Sequence, residues 1–155
     1  IGTASCRAEG YQVGVLAAVN AISDIRDPRD GSPIAVARGG AGWARPAPAP
    51  GEEAPGAGEN TTLVVVVTDA PFDRSQLGHL ARMAHNGLAL AVRPAHTPFD
   101  GDVVFAASPA RRDEPRADDL LLAALGDAAI GVVAEAIVRG VLAATPLQGL
   151  PAVRG

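Results

Sequence analysis

The stretch GAGENTTLVVVVTDAP (residues 56–71) decides how the rest of the chain is read. Within it TTLVVVVT, residues 61–68, is dominated by β-branched side chains and apolar at both alternating positions, which predicts a central strand covered on two sides. Asp-Ala-Pro then ends the strand. Upstream the composition is opposite: residues 39–60 are mostly Gly, Pro, Ala and Glu, with Trp43 the only large apolar side chain. Such a segment buries too little surface to offset its ordering entropy, so a mobile loop is expected. A loop of this length inside a compact domain is often functional.

Working outward, YQVGVLAAVN (residues 11–20) predicts a buried strand, DIRDPRDGSP (24–33) a turn region and IAVAR (34–38) a short further strand. Past the valine strand, Asp73 or Ser75 can cap a helix whose apolar positions Leu77, Leu80, Ala81, Ala84 and Leu88 repeat at helical spacing, with Pro94 stopping it. HTPFDGD (96–102) is a turn and VVFAAS (103–108) another strand. Residues 117–144 form a long, Ala-rich helix with a break expected near Gly126. Gly126, Gly131 and Gly140 weaken its interior but permit close approach to a neighbouring backbone. This order implies a single α/β domain, helices packed on a mixed sheet.

With 155 residues, 48% of them apolar but only 3% aromatic, the core must be built from Ala, Val and Leu. A net charge of -4 with scattered arginines argues against nucleic-acid binding. No stretch reads as a membrane span, because Asp127, Glu135 and Arg139 interrupt the most apolar helix. The chain opens on Ile1 without a secretory signal, which predicts a piece of something longer and a cytoplasmic location by default. The single cysteine, Cys6, excludes an internal disulfide and reads as a small, partly buried thiol.

A hydroxyl at the head of a buried strand is either a strand starter or a nucleophile still attached to its own chain. Threonine is a weak nucleophile that needs a base, and its own α-amino group, with a pKa of about 8, suits that task. That amine exists only if the Asn60–Thr61 bond is cut. The loop, the scissile bond and the rigid strand carrying Thr61 are the parts required. His96, Asp100 and Asp102, with His85, could be imagined as metal ligands, but nothing fixes their geometry and no metal or other cofactor is expected. Asp69 reads as a turn former, and His79 and His85 as residues of a helix edge or interface.

Residues 60–108 resemble the segment after the cleavage point in DmpA-type aminopeptidases, a self-processing family that includes L-aminopeptidase/D-esterases and β-aminopeptidases. The likeness rests on a Thr opening an apolar strand, TDAP, the LGHLARMAHNGLA helix and the DGD turn, in that order. Upstream, GTASCR (2–7) and YQVGVLAAVN are similar to further family segments. The resemblance implies that Thr61 is the nucleophile and that Asn60–Thr61 is the processing site. Asn20 would place its side-chain amide at the oxyanion, and Asp102 would be the acidic residue of the turn. Asp100 stands where better-known members have serine, and two carboxylates so close should push one pKa upward. Residues 1–38 would end the first portion, 39–60 form the processing loop and 61–155 the second portion, within an incomplete α-β-β-α sandwich of the N-terminal-nucleophile type. Small peptides or amides with a free amino end would be the substrates, and processed α/β pairs would assemble as a homo-oligomer. The alternatives are acyl transfer of the ornithine acetyltransferase type, or a non-catalytic piece acting only in assembly.

Overall fold

The computed structural model describes residues 1–36, 60–109, 116–147 and 151–153, so the expected loop at 39–60 lies outside the described residues except for Asn60. In chain order the elements are β1 (Gly2–Ala8), β2 (Tyr11–Ala18), β3 (Asp24–Arg26), β4 (Pro33–Ala35), β5 (Leu63–Thr68), α1 (Arg74–Ala91), β6 (Val92–Arg93), β7 (Val103–Ala107) and α2 (Asp119–Leu142). The main sheet has the order β1-β2-β5-β7, antiparallel except for the parallel β5–β7 pair. A smaller antiparallel sheet has the order β4-β3-β6. The tight β1–β2 turn uses Glu9 and Gly10 at positive φ (49° and 83°), the geometry that matches the twist of a two-residue hairpin.

Helix α1 starts at a reciprocal cap: Gln76 N–H donates to Asp73 Oδ1 (2.8 Å) and Asp73 N–H to Gln76 Oε1 (3.2 Å). The buried Gln76 amide also donates to Ala117 O at 2.8 Å, tying this cap to the segment that leads into α2. Helix α2 is capped by Asp118, which accepts Leu121 N–H at 2.8 Å, and runs unbroken through Gly126. The break expected there is not found: Gly126 sits beneath the Met83 side chain and the helix continues through it. Gly140 does meet backbone, that of Gly2, whereas a Cβ at Gly131 would meet nothing within 4 Å among the described residues.

Both helices cover the same face of the main sheet. Val13, Val15, Ala17, Val64 and Val66 point into a core completed by Leu80, Leu88, Leu125, Val133 and Ile137. Strand β5 is central, as its sequence predicts, but the described residues do not cover it on two sides: Leu63 and Val67 are exposed, together with Leu16, Val103 and Phe105 of the neighbouring strands. Alternation in sequence reveals an apolar face without revealing what covers it. Likewise α2, despite its charges, is long and apolar enough to pass for a membrane span by length and composition. Half of its most apolar window is buried within the fold, against β1, β2 and α1.

These approaches give opposite expectations for two glycines. A Cβ at Gly2 would fall 2.7 Å from Gly140 Cα, so Gly2→Ala should lower unfolding free energy by about 1–3 kcal/mol. Gly131→Ala, with nothing nearby, should raise it by up to about 1 kcal/mol, both measured by urea denaturation.

Candidate active site

The ladder between β5 and β7 continues three residues upstream of both strands. Val103 N–H donates to Thr62 O (3.1 Å), Gly101 N–H donates to Asn60 O (2.8 Å), and Asn60 forms a parallel bridge with Asp100. On the other side, beyond the end of β2, Asn20 O accepts Thr61 N–H at 3.0 Å. The peptide joining Asn60 to Thr61 is therefore held by both its groups: its carbonyl by Gly101 and its N–H by Asn20.

Strand alternation separates the two threonines. Thr62 is fully buried, on the helix-covered side with Val64, Val66 and Thr68, and its Oγ1 has no hydrogen-bond partner among the described residues. Thr61 is only half-buried and belongs to the opposite row, with the exposed Leu63 and Val67. The Asn60 amide nitrogen is also buried without a partner among the described residues.

Beside Thr62 lies Asp102, whose side chain is 6% exposed. Its Oδ1 accepts Thr62 N–H at 2.8 Å, and its Oδ2 lies 3.8 Å from His96 Nδ1. The His96 ring in turn meets the His85 ring of α1 at a centroid distance of 5.2 Å. Burial pushes the Asp102 carboxyl above its ordinary value of 3.8, with Asp100 adding to the effect, while the Thr62 N–H and the two histidines oppose it. The neighbouring carboxylate expected from the DGD spacing thus contributes, but burial is the larger cause. His85 is pushed down, first by burial and then by His96. Asp100 closes its own turn, its Oδ2 accepting Thr97 N–H at 2.7 Å.

The four site residues singled out in the sequence, Thr61, Asn20, Asp100 and Asp102, gather at one end of the main sheet around the Asn60–Thr61 bond. Two further groups adjoin them. Gly101 presents its backbone N–H, and His96, considered in the sequence only as a conceivable metal ligand, lies against Asp102. Asp69 accepts Gln12 N–H at 2.7 Å and staples the far end of β5 to β2, a structural contact.

The sequence matches peptidase family S58 over residues 1–153. The chain belongs to that family. An aminopeptidase of Mycobacterium tuberculosis, itself described as uncharacterized, is 38% identical over 176 residues, covering 99% of this chain and 51% of its own length. A Mycobacterium leprae counterpart is 33% identical over 168 residues, covering 97% and 46%. This S58 chain thus spans about half the length of the curated relatives it matches. Its fold superposes on a Burkholderia sp. β-aminopeptidase with a TM-score of 0.63 at 25% identity, covering 97% of this chain and 44% of that one. The L-aminopeptidase D-Ala-esterase/amidase of Ochrobactrum anthropi, described as a variant of the Ntn hydrolase fold, gives a TM-score of 0.62 at 24% identity, covering 92% and 40%. The fold of this S58 member is accordingly of the N-terminal-nucleophile hydrolase type.

Two substitutions probe the buried side of the site. Thr62→Val removes an unpartnered buried hydroxyl and should stabilise the protein by about 1 kcal/mol in chemical denaturation. Asp102→Asn keeps an acceptor for Thr62 N–H but removes a buried charge. Because the folded-state pKa of Asp102 lies above its unfolded value, ionisation costs stability once pH rises through the folded pKa. Asp102→Asn should therefore raise the melting temperature at neutral pH and lose that advantage below about pH 4.

Proposed function

We propose that this chain carries the processing site and the nucleophile of a self-processing aminopeptidase, with autocleavage at Asn60–Thr61. The observation that carries the proposal is the two-sided grip on that peptide, its oxygen accepting from Gly101 N–H and its nitrogen donating to Asn20 O. Membership of a peptidase family and the aminopeptidase relatives support the reaction class. A Paenarthrobacter ureafaciens relative, 32% identical over 56 residues that make up 36% of this chain and 16% of its own, is named a 6-aminohexanoate-oligomer endohydrolase.

In the processing step Thr61 Oγ1 attacks the Asn60 carbonyl carbon. The negative charge that develops on the carbonyl oxygen faces the Gly101 N–H, a donor already in place before the attack. The C–N bond breaks, the Thr61 nitrogen leaves as an amine carrying the hydroxyl proton, and an ester joins Asn60 to Thr61 Oγ1. Water cleaves the ester, leaving a carboxylate on Asn60 and a free α-amine on Thr61. That amine then serves as base for its own hydroxyl against an amide substrate, and water resolves the acyl-enzyme. The Asn20 side-chain amide stabilises the oxyanion in this second cycle, a role worth about 10²–10³ in rate. Asp100 and Asp102 hold the network around the new amine, and no cofactor takes part. The exposed apolar face of the main sheet, with Thr61 at one end of its rows, suits packing against the second sheet of an α-β-β-α sandwich.

Thr61 is preferred over Thr62 because Thr62 is sealed beneath the helices. Intact-mass analysis of the full-length protein should show two pieces, the second beginning at Thr61. Thr61→Ala should leave one piece and reduce peptide hydrolysis on the order of 1,000-fold or more. Cleavage surviving in Thr61→Ala would refute the assignment.

A further inference from the structure

Asp102 is more than a turn residue. One carboxylate oxygen fixes the N–H of Thr62, immediately after the nucleophile, and the other faces an imidazole. That imidazole belongs to His96, whose backbone sits at φ 59°, a left-handed conformation that residues with a Cβ adopt at a cost. A strained residue persists where its surroundings over-determine it, and such positions cluster at functional sites. His96 neighbours both Asp102, 3.8 Å from its Nδ1, and the His85 ring of α1, 5.2 Å between centroids. The charged or titratable groups acting on Asp102 are His96, His85 and Asp100.

We propose that His96, braced by His85, is a positioning residue for autocleavage: it orients the Asp102 carboxylate, which holds the Thr62 amide and so sets how Thr61 addresses the Asn60 carbonyl. The inference rests on the Thr61 processing reading and adds a residue that the family motifs do not contain. His96 touches neither the nucleophile nor the scissile bond and acts only through Asp102. Its chemistry is that of a donor or cation placed against a carboxylate, with His85 limiting the ring's freedom.

The conformation of His96 supplies a discriminating variant. Glycine is comfortable at φ 59°, so His96→Gly removes the imidazole while relieving the backbone. The His96 side chain is 43% exposed, so added imidazole can reach the vacated space. In the full-length protein, the piece beginning at Thr61 is followed over time by intact mass. His96→Gly should process on the order of 10- to 100-fold more slowly, with a melting temperature no lower than that of the unmodified protein. Free imidazole should restore much of the rate, and His79→Ala, at an exposed position on the same helix as His85, should process normally. Processing of His96→Gly at the unmodified rate overturns the inference and leaves the Thr61 reading intact. Slow processing with a lowered melting temperature and no response to imidazole also overturns it, assigning His96 a structural part only. An unmodified protein that never cleaves removes the Thr61 reading, and this inference with it.

Discussion

The parallel register between β5 and β7 is the constraint on which the site depends. Pairing Leu63 with Val103 sets Asn60, Thr61 and Thr62 opposite Asp100, Gly101 and Asp102. It thereby delivers one backbone donor to the Asn60 carbonyl and one carboxylate to the Thr62 amide. A slip of one residue would exchange the faces of the two threonines, burying the hydroxyl now half-exposed and pushing valines out of the core. The register is held from the helix side, where Val64, Val66 and Val104 are all buried.

Small residues keep the helices close enough for that grip. A side chain at Gly87 would meet the Ile130 carbonyl and sit 2.7 Å from Val133 Cβ, so α1 and α2 touch almost backbone to backbone. Gly140 gives α2 the same access to the start of β1. With so few aromatics, this core gains its cohesion from short contacts among Ala, Val and Leu rather than from bulk. The same proximity brings His85 of α1 over the turn that carries His96.

Much of the fold was legible because its signals are local. The valine run, the Asp73 cap, the helical spacing from Leu77 to Leu88 and the long second helix all appear where patterning puts them. Strands β3 and β6 were not legible, since three residues in turn-like sequence and two at the end of a helix acquire strand character only through pairing within the small sheet. The open face of β5 was hidden because apolarity marks a surface and not its cover. At the site, a strand-heading hydroxyl suggested Thr61, the family resemblance added Asn20, Asp100 and Asp102, and the structure brings those residues together. The Gly101 donor escaped notice because a backbone N–H carries no side-chain signature. His96 and Asp102 were grouped in the sequence only as conceivable metal ligands, and their direct approach was not legible because His96 takes a left-handed backbone conformation.

Strand β5 has a further consequence through its position between β2 and β7. Were the backbone severed ahead of Thr61, β2 would lie on one polypeptide and β5 on the other. Six paired positions, from Val13 with Thr68 to Ala18 with Leu63, would still stitch the two together. Such a nick would be silent in the native shape and would show only when the sheet is melted. The newly exposed end could not wander, because the strand behind it remains woven into the fabric on both edges.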